Sequence, residues 1–202
     1  MAVRDTMASL ISRTRDLLGD PSGSGEQLSD QQIQDALDQR RWDVRYQYLY
    51  ASETISSVGG TGVTTWQDFY ADRGDWEDGW TLQNGSWVDI TSLADVKEPM
   101  IGHWHFPENQ PTGCFITGSS YDINAAGADL CEMLIASIRK RAFNFSADGA
   151  SYDRKQLVDN LIELRDSLRA HAYPGSIFMA RMDVISNVAP EDGLIDRGRI
   201  VG

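Results

Sequence analysis

Apolar residues recur at helical spacing towards both ends of this chain. Between residues 59 and 117 that rhythm gives way to short β-branched and aromatic runs bounded by turn residues. A chain with this alternation has to bury helices and a sheet together.

At the start, Val3, Met7, Leu10, Ile11, Leu17 and Leu18 follow the 3.6-residue period, and Gly19, Asp20 and Pro21 end the helix. Ser29 is a good N-cap for a second helix, with Asp30 in the first turn where the helix dipole favours an anion. Ile33, Ala36, Leu37, Val44 and Tyr48 predict that it continues to about Ile55. Trp42, Tyr46, Leu49 and Tyr50 form a second apolar stripe on it, and a helix with two stripes meets more than one neighbour. These four are candidate subunit-interface residues.

The middle segment reads as strands at 63–70, 80–83, 86–90, 100–106 and 113–117, with Asn84-Gly85 as a two-residue hairpin turn. It holds five of the six tryptophans, and nine acids against two bases give it a charge of −7. Helical spacing returns with Ile123, Ala126, Leu130, Met133, Leu134 and Ile138, ending at the cations Arg139, Lys140 and Arg141. A fourth helix carries Leu157, Leu161, Leu164 and Leu168 and stops at Tyr173-Pro174-Gly175. The expected fold class is therefore α+β, mainly α. It is a four-helix core of two helical pairs (1–58 and 118–174), with an inserted small antiparallel β section (59–117) and an extended C-terminal tail (175–202).

The net charge is −12, and such a surface does not hold nucleic acid through its bulk, since DNA affinity comes from Lys and Arg displacing counterions. Cys114 and Cys131 form no CxxC pair and read as small buried hydrophobes of a reduced protein. The N-terminus lacks a signal-peptide core, and no run reaches the roughly 20 apolar residues of a spanning helix, so a water-soluble product made in a cytoplasm is expected.

Candidate chemistry is sparse. Gly59-Gly60-Thr61-Gly62 lacks the Gly-Lys-Ser/Thr ending of a phosphate loop and reads as a joint. His103 and His105 share a strand face at a separation one ion could bridge, but no third ligand stands at a diagnostic spacing, so strand histidines are the expectation. Asp72, Asp75, Glu77 and Asp78, interleaved with Trp76 and Trp80, miss the calcium-loop pattern and read as an exposed acidic surface. No Gly-x-Ser-x-Gly, His-Glu-x-x-His or Cys/His arrangement is present, and His171 falls in a last helical turn. The expectation is a protein without catalytic residues, metal or cofactor. Arg139, Lys140 and Arg141 can serve as a helix terminus or meet an acidic patch of an adjacent copy.

Three stretches resemble the head–tail connector (adaptor) proteins of tailed bacteriophages, which form a ring below the portal. They are Leu17-Leu18-Gly19-Asp20 with Leu28-Ser29-Asp30-Gln31-Gln32-Ile33 and Ala36-Leu37-Asp38; Tyr121-Asp122-Ile123 with 125–130; and 143–154. The resemblance implies a virion neck protein, assembled as a ring of most often twelve copies, that binds the portal, extends the DNA channel without gripping DNA, and docks the tail or next neck component. On that reading Ile177, Phe178, Met179 and Met182 are candidate apolar anchors in the portal. The alternatives are another head-closure or tail-completion protein, or an acidic binding module that mimics DNA.

Overall fold

A computed structural model describes residues 3–23, 26–58, 61–140, 146–147, 150–151 and 154–173. Residues through Ala172 form one compact unit. Its helices are α1 (Ala8–Leu18), α2 (Asp30–Gln39), α3 (Ile123–Lys140) and α4 (Arg154–His171). Its strands are β1 (Arg41–Tyr48), β2 (Tyr50–Val58), β3 (Thr61–Tyr70), β4 (Thr81–Asn84), β5 (Val96–Glu98), β6 (His103–His105), β7 (Cys114–Tyr121), β8 (Ser146–Ala147) and β9 (Ala150–Ser151).

The mainly α expectation is wrong. Two antiparallel sheets, ordered β1-β7-β4 and β2-β3-β6-β5, make up much of the unit beside the helices, and a two-residue pair β8-β9 is added. The largest error is the second helix. It ends at Gln39 rather than near Ile55, and residues 41–58 are two strands. Val44 and Tyr48 of the first expected helical stripe and Trp42, Tyr46 and Tyr50 of the second together stand at every second position, which is the strand period. No glycine or proline lies between Asp30 and Val58 to mark the change. Cross-strand pairing of Arg41–Tyr48 with Tyr121–Phe115, some seventy positions away, decides the outcome.

Local chemistry places the helices. Gly19 ends α1 in the left-handed region at φ 65°, a conformation glycine adopts without strain. Ser29 Oγ accepts from Gln32 N while Gln32 Oε1 accepts from Ser29 N at 2.9 Å, a complete capping box for α2. Asp122 Oδ1 accepts from Ala125 N at 2.9 Å at the start of α3.

One core joins Met7, Leu10, Ile11, Leu28, Ile33, Ala36 and Leu37 to Tyr121, Ile123, Ala126 and Leu130, so α1 and α2 pack on α3. A smaller cluster of Ala128, Cys131 and Leu168 fixes α4 to the other side of α3. The β half has a core of its own, built from Val44, Leu49, Phe69, Trp76, Leu82, Ile90, Trp104, Phe106, Cys114 and Ile116. The β part is therefore a second body of buried apolar surface rather than a decoration on a helical bundle. Glycine is required at position 118 of β7, where a Cβ would come within 2.9 Å of the Trp80 side chain. Asn84 does turn the chain, but through a wider loop: its Oδ1 accepts from Ser86 N and Val88 N, and residues 86–90 form no strand of their own.

Candidate functional site

A cluster of titratable side chains lies where β3, β5 and β6 meet. Strand alternation puts His103 and His105 on one face of β6, and antiparallel pairing sets Asp68 of β3 opposite His105 and Glu98 of β5 opposite His103. His103 Nδ1 is 2.8 Å from Glu98 Oε2, and its Nε2 is 3.1 Å from Asp68 Oδ1. The same Asp68 oxygen is 2.9 Å from His105 Nδ1, and Asp95 lies 4.0 Å from the other ring nitrogen of His105. The His103 ring also stacks on Tyr70, with centroids 4.6 Å apart.

This geometry favours the protonated ring of His103. Carboxylates only accept, so a histidine between two of them must donate from both nitrogens, which only the imidazolium can do. Burial disfavours that charge, but the hydrogen bonds the ring donates to Glu98 and Asp68 outweigh it and raise the His103 pKa. Burial likewise works against ionised Asp68, and bonds from His105 and His103 reverse the balance and lower its pKa. Among the described residues no three His, Cys, Asp or Glu side chains are placed to hold a metal ion.

The histidine cluster makes stability depend on pH. The folded His103 ring keeps its proton to higher pH than the unfolded chain does, whose histidine pKa is about 6.5. Its contribution is therefore complete below about pH 6.5 and fades as pH rises through the folded value. Urea melts of the native protein should show stability falling over that interval, and His103→Gln should flatten the fall. An equally steep fall in His103→Gln would place the titrating group elsewhere. Asp75 acts in the same direction at lower pH. Burial pushes it up to about 6, Arg13 opposes this, and Asp122 adds to it, so that folding favours its protonated form between about pH 4 and 6.

The four residues expected to form an acidic surface have different fates. Asp72 and Asp78 are exposed, and Asp72 accepts from Gln47 Nε2. Asp75 is buried, left-handed at φ 56°, with Oδ1 2.8 Å from Arg13 Nη1 in an ion pair off the hydrogen-bonding axis. Glu77 accepts from Thr6 Oγ1 (2.6 Å), Arg4 Nε (3.1 Å) and the Tyr121 hydroxyl (2.5 Å). Arg4 also pairs with Asp38 at 2.6 Å. Asp75 and Glu77 thus tie the helical layer to the β half.

Of the expected interface residues, Leu49 is fully buried in the second core. Tyr46 and Tyr50 are exposed, and Trp42, partly exposed, lies under the Arg73 guanidinium at 4.8 Å. Tyr46 belongs to an aromatic strip that sequence reading missed. Its ring meets Trp87 edge-on at 5.0 Å, Trp87 meets Phe115 at 5.2 Å, and Phe115 meets Tyr48 at 5.5 Å. Arg139 and Lys140 end α3. Arg141, and Ile177, Phe178, Met179 and Met182, lie outside the described residues.

Comparison with family models, with curated proteins and with solved structures finds no match.

Proposed function

We propose that this chain is a structural neck protein of a tailed bacteriophage. On this reading it is a head–tail connector whose copies assemble as a ring on the portal, lengthen the DNA channel and dock the next neck or tail component. It works by shape and makes or breaks no bond.

The observation that carries this reading is the meeting of two stretches behind the resemblance. Leu28, Ile33, Ala36 and Leu37 from the first pack with Tyr121, Ile123, Ala126 and Leu130 from the second in a single core. Leu17 and Leu18 lie against Ala128, Cys131 and Leu168. Motifs that are weak singly, as capping chemistry on helix pattern, thus belong to one folded layer. Charge supports the same reading: at −12 the chain repels phosphates, as the wall of a conduit for DNA should.

The test is to mix the purified protein with the portal of the same virion and average electron micrographs of the product. A coaxial ring seated on the portal is expected. A bare portal, or rings attached to tail components alone, would overturn the proposal.

A further inference from the structure

Charge is divided unevenly along this chain. Residues 59–117 carry −7, whereas α3 and α4 together hold six bases against five acids, a net charge of +1. The acids of the β half are mostly engaged within the copy. Seven of the nine in residues 59–117 meet a hydrogen-bond donor or a cation there, as Asp75 meets Arg13 and Glu77 meets Arg4. Asp78 and Glu108 are exposed, and their carboxylates have no partner among the described residues.

Glu108 is presented by a held loop. On one side of it Pro107 O accepts from Gln67 Nε2 at 2.8 Å. On the other, Asn109 Oδ1 accepts from Trp66 N at 2.8 Å, and Gln110 N donates to Trp66 O at 2.9 Å. Little backbone ordering is left to do when such a residue binds.

The matching feature lies on the helices. A pocket of about 280 Å³ opens between α3 and α4, lined by Glu132, Ile135, Ala136 and Arg139 of one and Arg165 of the other. The first four follow the i, i+3, i+4, i+7 spacing of one helix face. Glu132 is taken by Arg169 at 2.5 Å, and Arg165 pairs with its neighbour Asp166 at 2.7 Å while standing 3.9 Å from Glu132. Arg139 is exposed, and neither it nor Lys140 beside it has a carboxylate partner among the described residues. Two guanidiniums offer paired donors to an incoming carboxylate, and Ile135 and Ala136 offer apolar surface to the methylenes of a glutamate stem.

We infer that Glu108 of one copy enters the α3–α4 pocket of the next and pairs there with Arg139 and Arg165. The inference rests on the ring reading and supplies that ring with a subunit contact. Charge complementarity makes a second copy of this chain the occupant: copies that repel through most of their acidic surface are drawn together where an unpaired acid meets unpaired cations. The loop follows Phe106 of the β core, and the pocket adjoins the cluster of Cys131 and Leu168 between α3 and α4, so the contact joins two different surfaces. Such a contact is head-to-tail and propagates until it closes.

The test uses Glu108→Arg, Arg139→Glu, an equimolar mixture of the two, and the double variant. Both positions are exposed, and melting curves confirm that each variant folds. Assembly is followed by sedimentation of the protein alone and by electron microscopy of rings on the portal. Each single variant sets like charges face to face in every contact and should assemble at least about tenfold more weakly than the native protein. Mixing the two should restore assembly, because the arginine loop of one meets the glutamate pocket of the other, and the reverse contact keeps the native pair. The double variant, with the charges exchanged, should recover as well, and native assembly should weaken as salt rises. Rings from both single variants at native concentrations would overturn the contact and leave the ring reading standing. Rescue in the double variant but not in the mixture would place the pair within one chain and overturn the inference. Loss with Arg139→Glu alone would give the pocket to a different acid and overturn the role of Glu108. Native protein that neither associates in solution nor forms rings on the portal would overturn both readings.

Discussion

Replacing Arg15 with methionine should destabilise the protein by about 3–5 kcal/mol, the range for breaking a buried ion pair from one side. Arg15 is 4% exposed on the inner face of α1. Its guanidinium donates to Asp20 Oδ2 at 3.1 Å, Leu28 O at 2.8 Å and Asp30 Oδ1 at 2.7 Å. Asp20, itself 5% exposed, also accepts from Gln27 N and Leu28 N. One charged pair thus shapes the whole connection between α1 and α2. Methionine replaces the apolar stem but leaves Asp20 charged, desolvated and without its cation. Asp20→Asn keeps a carbonyl oxygen for the backbone donors and should cost less, about 1.5–3 kcal/mol, the value of hydrogen bonds to a charged group. The double variant should cost clearly less than the two singles added, because each removes the other's unpaired charge. For a chain of this length, 3–5 kcal/mol lowers the melting midpoint by roughly 10 °C. A loss under about 1 kcal/mol for Arg15→Met would show that the pair is not buried in solution.

The Arg15 site also marks what sequence could and could not reveal. Punctuation by Gly19, the capping box at Ser29 and the Asp122 cap are local signals, and the helices they bound are α1, α2 and α3. Strand positions in β3, β4, β6 and β7 were legible from alternation and turn residues. The failure at residues 41–58 has a definite cause. Trp42 to Tyr50 satisfies both periods, and the deciding contact, β1 against β7, is remote in sequence. The histidine cluster was half legible. His103 and His105 share a face because of strand alternation, but Asp68 and Glu98 reach them only through the register of three strands. The aromatic strip was hidden in the same way, since Trp87 meets Tyr46 and Phe115 across loops and strands that spacing does not connect.

Trp104→Ala should be the most damaging single change in the β half, costing about 3–5 kcal/mol in a urea melt. Trp104 is fully buried, pairs across strands with Phe69 and Lys97, and meets Trp80 and Trp76 edge-on at 5.4 and 6.2 Å. Alanine leaves a cavity between the sheets that Trp80 and Trp76, themselves held by the core, can close only in part. Trp104→Phe should cost distinctly less. The smaller ring refills most of the space, and it takes out of the core an indole N–H that has no hydrogen-bond partner among the described residues. A second readout separates a cavity from a loosened strand. Trp104 stands between His103 and His105 on a three-residue strand, so its packing holds β6 in register with Asp68 and Glu98. If alanine frees β6, the two carboxylates no longer bracket His103, and the fall in stability above about pH 6.5 should disappear along with the lost kilocalories. If the pH dependence survives in Trp104→Ala, the histidine cluster holds β3, β5 and β6 together without the tryptophan core. The register of β6 against β3 and β5 is then fixed by charge rather than by packing.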